Sequence, residues 1–263
     1  MKDIQHHDER RKRSQEKMEY LASGTPIKPG MNSSALVWRM TNIITEYLAQ
    51  NLRKPGSGFF GWYVTKNIFL RRNVILEENG AKLCQIEPHY NVLEVGFGPG
   101  VGLETAWKYV TGGNGKIYGV DFSDKMISLT KRRLAKQIND GKVCIQKGNV
   151  LNLPFDNDTF HRVFHCNCYY FWPDLQAGCR ELYRVMRPHA RMVTTIRVDS
   201  IKAITQKNIL KYGQTSDHVE YMKTLEKVGF KNVSMQNVED SGQTFQAIFA
   251  DVDKRNSSSN KKT

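Results

Sequence analysis

Apolar residues along this chain follow two periods, and the change comes near residue 90. From residue 34 to about 53, Leu36, Met40, Ile43, Ile44, Tyr47 and Leu48 recur at steps of three and four, the spacing of one helix face. Lys54-Pro55-Gly56-Ser57-Gly58 stops that pattern, because proline lacks an N–H and glycine favours turns. Phe59-Phe60-Gly61-Trp62-Tyr63 follows. This aromatic run reads either as packing of an N-terminal extension or as a lid over a bound ligand. A further helix is predicted over 74–86, ended by Pro88. From residue 91, short β-rich runs alternate with helical ones. Strands are predicted at 91–96, 116–121, 143–146, 160–165 and 190–198, with helices at 101–110, 123–139 and 175–185. A helix at 218–228 and strands at 231–238 and 244–252 close the series. Ser123 is the expected N-cap of its helix. Such alternation predicts an α/β domain built on a parallel sheet.

The first strand, Val92-Leu93-Glu94-Val95, runs into Gly96, Gly98 and Gly100, and a helix follows. Strand, glycine turn and helix form the nucleotide-binding opening of an open α/β sheet. The dinucleotide fingerprint needs Gly at i, i+2 and i+5. Counted from Gly96 the third position is Val101, and from Gly98 it is Leu103, so that fingerprint fails. Ligands of such sheets lie at the carboxyl ends of the strands, and candidate residues gather there. Asp121 closes the second strand and can accept hydrogen bonds from ribose hydroxyls. Phe122 and Met126 suit an adenine face. Asn149 and Val150 end the third strand, where a side chain and the backbone can read the adenine edge. His165-Cys166-Asn167-Cys168 ends the fourth.

Glu94-x-Gly96-x-Gly98-x-Gly100 resembles motif I of the class I S-adenosylmethionine-dependent methyltransferases. Gly119-Val120-Asp121-Phe122-Ser123, Gly148 to Phe155, Asp158-Thr159-Phe160 and Glu181 to Pro188 follow in family order. Over residues 90–200 the chain is similar to the methyltransferase type-11 group. The resemblance implies a Rossmann-like seven-stranded mixed sheet, its last strand antiparallel, with helices on both faces and an N-terminal helical extension. It implies S-adenosylmethionine as methyl donor. It also implies that Gly96, Gly98 and Gly100 line the methionine and ribose portion, that Glu94 orients the loop, and that Asp121 holds the ribose. Phe122, Met126, Asn149 and Val150 would enclose adenine, and Cys166 would lie near the methionine moiety. Two positions depart from the family: Asn149 stands where Asp is common, and His189-Ala190 where Gly-Gly is common.

Displacement at a sulfonium needs alignment more than covalent help. A base is required only if the acceptor holds a proton at neutral pH. His165, Tyr169, Tyr170 and Tyr63 are candidates by position for that role or for orienting the acceptor. A small-molecule acceptor is expected. The alternatives are an RNA or protein acceptor, or a non-catalytic S-adenosylmethionine-binding partner subunit.

Charge and cysteine usage narrow the setting. The net charge is +13 and the pI about 9.5, which favours anionic partners, RNA among them. Arg10-Arg11-Lys12-Arg13 reads as a solvated run, a nuclear address or a phosphate contact. Asp3, Asp8, Glu9 and Glu16 argue against a mitochondrial presequence, and no apolar core of a secretory signal is seen. The five cysteines are an odd number, which fits a reducing, cytoplasmic compartment. Cys166-x-Cys168 lacks a second ligand pair, so no metal is expected. No apolar run reaches membrane-spanning length. The expected organisation is a polar, disordered tail over 1–33, a helical and aromatic extension or lid over 34–88, the methyltransferase domain over 89–252, and a disordered basic tail over 253–263.

Overall fold

The computed structural model describes residues 33–210 and 215–254. Residues 1–32, with Arg10 to Arg13, and 255–263 lie outside the described residues, whereas Lys254, expected in the disordered tail, donates to the Arg184 and Met186 carbonyls. The chain divides into two compact units, residues 1–44 and 45–263. Helix α1, Ser33–Arg53, begins in the first and ends in the second. The second unit continues through α2 (Phe59–Tyr63), a π-helical segment (Val64–Arg72) and α3 (Val74–Leu83). Strands and helices then alternate: β1 (Asn91–Val95), α4 (Val101–Tyr109), β2 (Lys116–Asp121), α5 (Asp124–Arg133), α6 (Ala135–Asn139), β3 (Val143–Lys147) and β4 (Phe160–Cys166). After a 3-10 turn at Tyr169–Phe171 come α7 (Leu175–Val185), β5 (Met186–Ile196), α8 (Val198–Gln206), α9 (His218–Val228), β6 (Lys231–Asp240) and β7 (Gln243–Asp251).

These strands form one seven-stranded sheet in the order β3-β2-β1-β4-β5-β7-β6. Strands β1 to β5 pair in parallel, and β7 runs antiparallel to both its neighbours. This is the Rossmann-like mixed sheet expected from the sequence. The order reverses direction between β1 and β4, so a crevice opens beyond their carboxyl ends. Strand β1 is buried on both faces, as a central parallel strand requires. Neighbouring residues point to opposite faces. Leu93 and Val95 join Phe160, Leu182 and Tyr221 in one core, while Val92 joins Leu103, Ala106 and Ile117 in the other.

Caps set the helix starts. Ser123 accepts the Met126 N–H at the head of α5. Asp174 and Asp217 do the same for α7 and α9 through Ala177 and Val219.

Four sequence expectations change. The single helix expected over 123–139 breaks at Leu134, whose backbone leaves helical geometry while its side chain is fully buried in the core. Strand β5 begins at Met186 rather than at 190 because Met186 pairs with Phe160 before a register shift. Inside that irregular stretch His189 takes the left-handed conformation, φ 64°, and its N–H donates to the Val252 carbonyl. Helix α8, short and marked only by Val198, Ile201 and Ile204 at three-residue steps, and the π-helical segment were not expected. Among the described residues no helix is long and apolar enough to cross a membrane.

Candidate active site

A cavity of about 320 Å³ opens beyond the carboxyl ends of β1, β2 and β4. One half is built on the glycine turn. Gly96, Gly98 and Gly100 all have positive φ, at 70°, 51° and 82°. At Gly100 a Cβ would come within 2.5 Å of the Thr130 side chain, so only glycine fits both the conformation and the space. Gly98 is held from two sides. Its N–H donates to Asp121 Oδ2 at 3.0 Å, and its carbonyl accepts from Thr130 Oγ1 at 2.9 Å. Ser123 N–H donates to the other Asp121 oxygen at 2.8 Å. Burial pushes the Asp121 carboxyl up to about 6, against the pull of these N–H donors. Asp121 therefore fixes the loop while still lining the cavity, and each carboxylate oxygen keeps a further lone pair.

Gly96, Gly98, Asp121, Phe122, Met126, Asn149, Val150 and Cys166 line this cavity. Asn149 also accepts the Leu151 N–H at 3.1 Å, which shapes the turn after β3. The Arg53 guanidinium lies 5.7 Å from the Phe122 ring centre.

Glu94 and Gly100 are not in the cavity wall. Gly100 serves as the N-cap of α4. The Glu94 carboxylate lies beneath the loop, packed against Gly102, where burial and the neighbouring Glu77 raise its pKa strongly.

Sequence reasoning missed Glu77. It sits on α3, is 6% exposed and lines the cavity. The N–H groups of Val101 and Gly102, at the start of α4, hold its carboxylate, yet Oε2 is buried and has no partner. Burial raises Glu77 to about 8, with Asp121 adding to the rise and Arg133 opposing it. Nothing in Val74-Ile75-Leu76-Glu77-Glu78 distinguishes the buried acid from its half-buried neighbour.

The acceptor candidates separate cleanly. His165 is fully buried in the polar network under β4 and β5. Its Nε2 lies 2.8 Å from Tyr221 Oη and 2.9 Å from Thr194 Oγ1. Burial lowers it to about 3, and it does not line the cavity. Tyr169 is stacked on Tyr221 at 4.3 Å and donates to the Ser216 carbonyl, so it too stands behind the wall. Tyr63 is 43% exposed and does not line the cavity. Of these four only Tyr170 lines the cavity, and burial holds its hydroxyl protonated.

Residues 59–63, the aromatic run, do not line the cavity. Gly61 packs on the Gly56 backbone, Phe60 stacks on Tyr47 at 5.2 Å, and Phe59, Trp62 and Tyr63 remain exposed. The extension instead contributes Leu52, Arg53, Pro55, Ile68, Phe69, Arg72 and Asn73 to the wall.

Residues 92–189, which carry the glycine turn, Asp121 and Asn149, match a family described as a methyltransferase domain. Over that stretch the chain carries a methyltransferase domain of the class I S-adenosylmethionine-dependent kind, type-11-like. An uncharacterized methyltransferase of Bacillus subtilis, YdaC, is 24% identical over 146 residues, 56% of this chain and 74% of that one. The ubiquinone/menaquinone biosynthesis C-methyltransferase UbiE of Geotalea daltonii is 31% identical over 113 residues, 43% of this chain. This methyltransferase spans 47% of that relative's length. Among solved structures, a putative methyltransferase of Haloferax volcanii, in complex with the Trm112 activator, has the same fold. Its TM-score is 0.62 at 16% identity, covering 75% of this chain and 96% of that one. A S-adenosylmethionine-dependent methyltransferase from Aquifex aeolicus gives 0.54 at 20% identity, with 72% and 96% covered.

The methyl donor of this class is S-adenosylmethionine, and the site's chemistry fits it. A glycine cradle admits close backbone approach, a carboxylate stands at the end of β2, and the buried acid Glu77 lines the same cavity with one oxygen that no group among the described residues bonds.

Proposed function

We propose that this methyltransferase moves the methyl group of S-adenosylmethionine onto a small molecule held in the apolar half of the cavity. The observation that carries this reading is the continuity of one cavity from the glycine turn and Asp121 to a wall of Tyr170, Phe171, Trp172 and Ile201. A confined, mostly apolar wall suits a small acceptor. The likeness to a quinone-biosynthesis relative supports the same class.

On this reading Gly96 and Gly98 let the backbone approach the amino-acid and ribose portions, and Gly100 starts the helix behind them. Asp121 accepts from the ribose hydroxyls. Phe122, Met126, Asn149 and Val150 hold the adenine, Cys166 borders the amino-acid portion, and Glu94 acts from below by fixing the loop. Glu77 attracts the cationic end. S-adenosylmethionine, when bound, supplies an electrophilic methyl on a good leaving group. The chain supplies alignment of the acceptor with that methyl and exclusion of water by the aromatic wall. Tyr170 contributes as a hydrogen-bond donor to the acceptor rather than as a base. The free thiols among the described residues favour a reducing compartment, the cytoplasm.

The test is transfer of labelled methyl from S-adenosylmethionine into a cell extract separated into metabolites, RNA and protein. Label is expected among the metabolites. Label confined to RNA or protein would overturn the reading. The RNA alternative draws on the net charge of +13, and it requires RNA binding that weakens steeply with salt. Binding of S-adenosylhomocysteine without transfer to any fraction would support a non-catalytic partner subunit.

A further inference from the structure

Three arginines, Arg53, Arg72 and Arg197, line the cavity, and its two lining carboxylates, Glu77 and Asp121, both stand at the glycine turn. Asp199, in the first turn of α8, is exposed and outside the wall. Arg53 has company at the Phe122 ring. Arg72 and Arg197 make no ion pair among the described residues. The Arg197 fork touches only a neutral partner, the Gln243 side-chain oxygen. Its Nε is buried and has no acceptor.

A short polar chain at the end of β4 links residues next to these two arginines, both of which line the cavity. Asn73, adjacent to Arg72, accepts from Asn167 Nδ2 at 3.3 Å. The Asn167 N–H donates to the Thr195 carbonyl at 3.1 Å, two residues before Arg197. Asn167 itself takes the left-handed conformation, φ 47°, which asparagine adopts readily. The remaining wall is hydrocarbon and aromatic: Leu52, Ile68, Phe69, Phe171, Trp172 and Ile204. An unbonded guanidinium donor in such surroundings is unfavourable unless a ligand completes it, and the planar fork matches a carboxylate or phosphate.

We infer that the acceptor is an anionic amphiphile, with an apolar body against the aromatic wall and a carboxylate or phosphate held by Arg197 and Arg72. This rests on the assignment of the glycine side to the methyl donor.

The experiment is calorimetric titration of the full chain with octanoate, octyl phosphate, octanol and octylamine, with and without saturating S-adenosylhomocysteine. At least one anion is expected to bind about tenfold or more tighter than octanol, with octylamine weakest. Octanoate against octyl phosphate tells which headgroup the fork takes. Arg197→Gln and Arg72→Gln should each lose about tenfold for the anion while octanol and S-adenosylhomocysteine change less than about threefold. The unchanged S-adenosylhomocysteine affinity shows that these variants fold. Arg197→Lys, which keeps charge without the fork, should fall between. Octanol or octylamine binding as tightly as both anions, or glutamine variants that bind the anions like the native chain, would overturn the inference. Loss of S-adenosylhomocysteine binding with the anion ranking intact would fell the donor assignment and leave the arginine site standing.

Discussion

Glu77 concentrates the electrostatics of the site in one carboxyl group. It is raised to about 8 chiefly by burial, so between its unfolded value and about 8 the native chain holds a proton that the unfolded chain has released. Stability must therefore fall as pH rises through that window. The melting temperature of the free protein is expected to drop from about pH 5 to 8, and Glu77→Gln should flatten part of that slope. A cationic ligand favours the ionised acid, so binding should release a proton. S-adenosylhomocysteine, which retains the ammonium, should bind more tightly with rising pH up to about 8 in the native chain, and Glu77→Gln should bind it about tenfold more weakly with little pH dependence. Calorimetry in buffers of different ionisation enthalpy reads both effects; equal proton release in the two proteins would remove Glu77 from the donor site. Asp121→Ala carries a harsher expectation, since it removes the acceptor of the Gly98 and Ser123 N–H groups as well as that proposed for the ribose. A loss of about a hundredfold in S-adenosylhomocysteine affinity is expected, and an unchanged affinity would refute the ribose assignment.

Turns, more than regular elements, carry the strain in this fold. The glycine turn between β1 and α4 cannot accept a side chain at Gly100. Gly100→Ala places a methyl group 2.5 Å from Thr130 at φ 82°, and a destabilisation of about 1–3 kcal/mol in urea unfolding is expected. The opposite change is available within β5. His189 occupies the left-handed region while exposed, and its backbone bond to Val252 does not need the imidazole. His189→Gly should relieve the strain and raise stability by up to about 1 kcal/mol, seen as a higher urea midpoint with unchanged slope. A lower midpoint would mean that the ring makes contacts worth more than the strain. The end of β4 shows a third case. His165 and Cys166 are adjacent, yet one is buried away from the cavity and the other lines it, because neighbouring residues of a strand face opposite ways.

At the scale of the molecule, the sheet order decides what the site contains. Reversal between β1 and β4 opens the crevice, and residues far apart in sequence supply its walls: 52–55, 68–77, 95–98, 120–126, 148–150, 166–173 and 197–204. The strand-end residues on the glycine side were legible as candidates because strand, turn and helix are consecutive. The acceptor side was not. Arg72 and Arg197 are far apart in sequence and line one cavity only in the folded chain, and the recurrence of Val198, Ile201 and Ile204 in α8 marks a helix face but not a cavity.

The chain's local pattern therefore determined the alternation of strands and helices, the glycine turn that excludes a dinucleotide fingerprint, and the family, since each depends on residues a few positions apart. The tertiary structure alone decided which side chains share the cavity. Packing sent His165 and Tyr169 into the core, left Phe59, Trp62 and Tyr63 exposed, and brought Glu77 to the start of α4 and Arg72 and Arg197 to the cavity wall. Burial and through-space charge are not properties of sequence spacing, and they set the protonation of Glu77, Asp121 and His165.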